Sequence, residues 1–153
     1  MARYKVVLTG DPVLRRIAHP VKEVNDNIKK LLNNMAETMY HAKGVGLAAP
    51  QVGISKRVIV VDIGEGLYKL VNPEIVASSG IQDGPEGCLS VPEVIGDVKR
   101  SEHVTVKALD ENGEAVSIEA SGFLARAFQH EIDHLNGILF TDKATAIERT
   151  SSK

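Results

Sequence analysis

Apolar side chains recur every three or four positions at Ile28, Leu31, Leu32, Met35 and Met39, the rhythm of a helix with one buried stripe. Asn25 or Asp26 stands ready as N-cap and Gly44 lies beyond the far end, so the spacing predicts a helix near 26–42 that packs on a sheet. Strand signals follow it. Val58-Ile59-Val60-Val61 is a short apolar run, Leu70-Val71 is another stopped by Asn72-Pro73, and 104–109 and 115–119 flank Asn112-Gly113. That dipeptide marks a hairpin because both residues tolerate positive φ. A mainly antiparallel sheet is predicted. A second helix is predicted over 121–135, ended by Asn136-Gly137, with Phe123, Ala127, His130 and His134 on one face and Leu124, Phe128 and Leu135 on the next. So wide an apolar arc means a buried helix, which turns both histidines inward.

At 153 residues, 43% hydrophobic and 25% charged, the chain has the balance of one domain, 1–153, with 141–153 expected as a polar, fraying tail. No repeat or linker divides it. A net charge of -2 without a dense Lys/Arg run argues against direct nucleic-acid binding, which needs clustered cations. The apolar run behind the N-terminus is too short for a signal peptide, and nothing approaches a membrane span, so a cytoplasmic location is expected. The single cysteine, Cys88, excludes an internal disulfide. It is either a small buried hydrophobe or a ligand.

Three segments carry candidate chemistry. In His130-Glu131-Ile132-Asp133-His134 the two imidazoles stack one helical turn apart and can grip one metal ion, while Glu131 lies beside that site and can move a proton. A pair of hydrogen-bonded core histidines is the alternative. A hydrolytic site needs a third ligand, and Cys88 offers a thiolate in Glu86-Gly87-Cys88-Leu89-Ser90, led by the turn-rich Asp83-Gly84-Pro85. The third segment is Gly44-Val45-Gly46-Leu47-Ala48-Ala49-Pro50-Gln51, whose glycines permit close backbone approach and whose Gln51 offers an amide donor. Read alone, it is equally a helix C-cap and turn. His19, His41 and His103 read as surface or loop residues.

Together these segments resemble the three signature motifs of the peptide deformylases, intact and in the family's order. Gly10 to Arg15, Val71 to Glu74 and Gly122 to Arg126 also read as this family does. The resemblance implies a compact α+β deformylase fold, with mainly antiparallel sheets around a central metal-binding helix. It implies that Cys88, His130 and His134 bind one divalent metal, typically Fe2+, with Zn2+, Ni2+ or Co2+ able to occupy the site. Glu131 becomes general base and acid, with the Gln51 amide and Leu89 N–H as oxyanion donors. The substrate implied is the formyl-Met terminus of a nascent peptide, lying extended against Val45, Gly46 and Gly87. Its methionine pocket would be lined by Val45, Glu86, Phe123, Arg126, Ala127 and the His130 ring, with the Arg126 guanidinium reaching solvent or a carboxylate. Arg100 either braces the helix through Asp133 or is an exposed arginine. A ribosome contact is expected from the family alone.

Two other functions share parts of this pattern. One is a zinc endopeptidase of the His-Glu-x-x-His type, against which stands a cysteine upstream of the helix. The other is a non-catalytic domain with a structural metal closed by a fourth ligand, which Asp133, His103 or Glu86 would have to supply.

Overall fold

All four residues of the strand Val58–Val61 are fully buried, so both of its faces must be covered. In the computed structural model, which describes residues 3–150, two helices cover them. Helix α1 (Asp26–His41) sets Leu32, Met35 and Met39 against Val58 and Val60. Helix α2 (Gly122–Leu135) sets Phe128, Ile132 and Leu135 against Ile59 and Val61. The five-stranded sheet between them joins β1 (Gly46–Ala48), β2 (Val58–Val61), β3 (Tyr68–Ser79), β6 (His103–Leu109) and β7 (Ala115–Ser121) in the order β1-β2-β3-β6-β7. A three-stranded sheet joins β4 (Gln82–Cys88), β5 (Val91–Arg100) and β8 (Thr145–Arg149) in the order β4-β5-β8. Every strand pairing in both sheets is antiparallel.

Both helices fall where the 3.6-residue spacing puts them. The Asn25 side chain accepts a hydrogen bond from the Ile28 N–H at 3.0 Å, capping α1. At its other end Lys43, not Gly44, takes the left-handed conformation, and the Gly44 N–H bonds to Met39 O at 2.9 Å. A Cβ at Gly44 would lie 2.9 Å from Leu89 Cδ1, so the Leu89 side chain would have to shift to admit one.

Strand β3 corrects the stop expected at Asn72-Pro73. Its partner β2 ends opposite Val71, so Pro73 falls beyond that pairing, and a register shift between Val71 and Glu74 absorbs it. Asn72, at φ 53°, exchanges two 2.8 Å hydrogen bonds with the Val21 backbone. The Asn112-Gly113 hairpin is present, but only Gly113 takes positive φ; the loop is organised by the Asp110 side chain, which accepts from the Asn112 and Glu114 N–H groups. Asp83-Gly84-Pro85 is no turn: all three lie in β4, paired with β5. Nor does the tail fray over Thr145–Arg149, which pairs with β5 as β8; residues 151–153 lie outside those described. No helix among the described residues is long and apolar enough to cross a membrane.

Candidate active site

The last residue of β4, Cys88, meets the buried face of α2. Its Sγ lies 3.3 Å from His134 Nε2, and the ligand atoms of Cys88, His130 and His134 all fall within 4.8 Å of one another. Helical spacing brings the two imidazoles edge to face at 5.0 Å between ring centres, and both are buried.

Glu86, two residues before Cys88, contacts His130 Nδ1 through Oε1 at 2.9 Å. A carboxylate can only accept, so Nδ1 carries a hydrogen, and in the neutral imidazole the lone pair is on Nε2. Arg100 holds both Glu86 oxygens, Nε on Oε2 at 2.8 Å and Nη2 on Oε1 at 2.9 Å, and its Nη1 reaches Asp133 Oδ2 at 2.6 Å. Arg126 adds a 2.6 Å bond to Oε2. Burial pushes Glu86 up, but its bonds with Arg100 and His130 overrule this and hold its carboxyl well below the usual range. Burial opposes a charge on His130 as well. Cys88 and Glu86 on either side of it win, raising it to about 10, so this spot favours positive charge. His134, buried beside His130, is pushed well below its ordinary value and stays neutral.

Glu131 follows His130 on α2, with Oε2 4.0 Å from His130 Nε2. It is buried, its Oε1 has no hydrogen-bond partner among the described residues, and burial pushes it up to about 7 against the pull of His130. Gly46 makes room for it: a Cβ there would sit 2.5 Å from Glu131 Oε2. Gln51 closes another side. Its Oε1 accepts from the Ala48 N–H at 3.0 Å, turning Nε2 toward Ser90 Oγ at 3.1 Å and Cys88 Sγ at 3.5 Å.

A cavity of about 230 Å³ opens beside these groups, lined by Val45, Gly46, Gln51, Glu86, Gly87, Cys88, Leu89, Phe123, Arg126, Ala127, His130 and Glu131. Every residue expected at the methionine pocket is on that lining. Phe123 is 54% exposed and Val45 41%, so they form the mouth, while Ala127 lies deep. Arg126 takes the carboxylate option and is buried rather than solvated. Arg100 is buried too, joined to Asp133 as one expectation had it. The tight hold on Glu86 and the bond from Gln51 to Ser90 were not anticipated; the only sequence signal for Ser90 was its place in the Cys88 segment.

The donor set suits a divalent cation. A soft thiolate and two imidazoles match zinc or ferrous iron. Glu86 orients one imidazole, and the unpartnered Glu131 oxygen is a buried polar atom that a dry core would leave costly. None of the three residues named as a fourth ligand is free to serve. Glu86 and Asp133 are engaged by arginines, and His103 is exposed and bonded to Ser121. A thiolate and two imidazoles that could hold a metal, with a carboxylate alongside and a cavity in front, are the groups a metallohydrolase site needs.

The whole described chain, residues 3–150, matches the family model for polypeptide deformylase. A peptide deformylase from Carboxydothermus hydrogenoformans is 64% identical over 149 residues, covering 97% of this chain and 98% of the relative. One from Pelotomaculum thermopropionicum is 56% identical, covering 100% and 99%. The crystal structure of peptide deformylase from Thermotoga maritima superposes with a TM-score of 0.93 at 47% identity, covering 95% of this chain and 99% of that one. The chain belongs to the polypeptide deformylase family, metal-dependent hydrolases that remove the N-formyl group from nascent polypeptides.

Proposed function

We propose that this chain deformylates peptides with Cys88, His130 and His134 as metal ligands and Glu131 as the proton carrier. The observation that carries the reading is the convergence of one sulfur and two imidazole nitrogens within 4.8 Å beside a buried carboxylate whose Oε1 has no hydrogen-bond partner among the described residues. A divalent cation held there supplies Lewis-acid polarisation of the formyl oxygen and a water of lowered pKa. Glu131 is placed to accept a proton from the attacking water as the water oxygen bonds to the formyl carbon, and Cys88, His130 and His134 would hold the cation. The Gln51 Nε2–H and the Leu89 N–H donate to the oxyanion formed. Glu131 then returns the proton to the amine nitrogen as the C–N bond breaks, and formate leaves.

Methionine fits the cavity between Ala127 and the Val45–Phe123 mouth, with Glu86, Gly87 and Arg126 along its wall. The extended peptide lies against Val45, Gly46 and Gly87, since β1 and β4 are edge strands with backbone groups to offer. Fe2+ is the ion we favour, with Zn2+, Ni2+ or Co2+ as substitutes. The setting is the cytoplasm, with formyl-Met chains presented at the ribosome, as the family resemblance implies.

The endopeptidase reading loses support from the Cys88 ligand, and the structural-metal reading from the lack of a fourth ligand. Incubation with formyl-Met-Ala and with an unmodified peptide tests the proposal. Formate from the first and no internal cleavage of the second is expected; internal cleavage without formate release overturns it.

A further inference from the structure

Arg126, His130 and His134 lie on one row of α2, at i, i+4 and i+8. Gln82, Gly84, Glu86 and Cys88 alternate onto one face of β4, and that face meets this row. The two rows engage in order. His134 touches Cys88, His130 touches Glu86, and Arg126 spans the remainder. Its Nε donates to Gln82 Oε1 at 3.1 Å, and its Nη1 to Glu86 Oε2 at 2.6 Å and Gly84 O at 3.4 Å. Nη1 also reaches Val98 O at 3.0 Å, on the strand where Val98 is the register partner of Gly84.

Arg100 is shared between Glu86 and Asp133, Lys143 also reaches Asp133 at 3.0 Å, and Arg126 adds a second guanidinium to Glu86. An aliphatic side chain would cost less here. The Arg126 guanidinium is buried and its Nη2 has no partner among the described residues, a penalty that a leucine or methionine would not carry.

We infer that Arg126 is a positioning residue that sets the register of β4 on α2, and thereby the distance between the Cys88 sulfur and the two imidazoles. The inference rests on the proposed role of those three residues as metal ligands. Among the described residues, no other side chain binds β4 at three successive inward positions from the helix that carries both histidines. Without it Glu86 keeps only Arg100 and His130, Gly84 loses its tie to the helix, and Cys88 at the strand end shifts with them.

The test loads Co2+ alone into anaerobically prepared protein. Affinity is read by competition with a chromophoric chelator, and geometry by the thiolate-to-cobalt absorption band, at a temperature where circular dichroism reports a folded chain. Arg126→Met should lower affinity by roughly 10- to 100-fold and weaken or shift the band. Arg126→Lys, which keeps the charge but loses the fork, should fall between, and it carries the same test if the methionine variant does not fold. A folded variant with wild-type affinity and an unchanged band overturns the inference, whatever its melting temperature. If the wild-type protein itself binds no Co2+, the metal-site reading falls and this inference with it.

Discussion

Oε1 of Glu86 and Nδ1 of His130 lie 2.9 Å apart, both buried, and this contact decides which imidazole nitrogen faces Cys88. Glu86→Gln keeps the shape but replaces an acceptor-only group with an amide whose NH2 must face either His130 or an arginine. Metal affinity is expected to fall roughly 10- to 100-fold, checked by chelator competition. Stability should fall by about 3 kcal/mol, checked by urea unfolding, because two buried guanidinium groups lose their counter-charge.

The same carboxylate sets an acid limit. Its pKa in the folded chain lies below the ordinary 4.5, so the unfolded chain binds more protons in acid than the folded one. The stabilisation is therefore complete above the ordinary value and is lost as pH falls toward the lower folded value. Urea midpoints measured from neutral pH downward should drop more steeply for wild type than for Glu86→Gln, which has no proton to take up there.

Gly46→Ala places a methyl where Glu131 Oε2 lies, 2.5 Å from its ideal position. The carboxylate must move. Turnover is expected to fall by about 10²- to 10⁴-fold, the range for a misplaced general base, while metal content stays near wild type. Steady-state formate release and metal analysis on one preparation check both halves.

How much of this was legible in the sequence depended on the range of the interaction. Helices α1 and α2 and strand β2 announce themselves because their periodicity is local, and His130 and His134 are fixed by one helical turn. Strand β4 was hidden, since Asp83-Gly84-Pro85 has turn composition; it is an edge strand, where Pro85 need not donate and glycine is tolerated. The course of β3 through Pro73 was hidden because it depends on where β2 stops. Glu86 read as a pocket residue because its partners Arg100, Arg126 and His130 stand 14, 40 and 44 residues away, and no short-range pattern reveals a buried ion cluster.

Gln51 carries two duties. Gln51→Ala removes a donor aimed at the site and is expected to cut kcat by roughly 10²- to 10³-fold. It also strips the Ala48 N–H of its partner, so a stability loss of about 1–3 kcal/mol should accompany it. Kinetics paired with denaturant unfolding separate the two effects, and an unchanged kcat with lowered stability would leave Gln51 a purely structural role.

Metal content and formate release of Glu131→Ala, purified anaerobically beside His134→Ala, bear most directly on the division of labour in the site. Glu131→Ala should hold a divalent ion as the wild type does yet release negligible formate from formyl-Met-Ala, while His134→Ala should lose the ion. A Glu131→Ala protein that arrives without metal, or that turns over at near the wild-type rate, contradicts the assignment of ligands to Cys88, His130 and His134 and of proton transfer to Glu131.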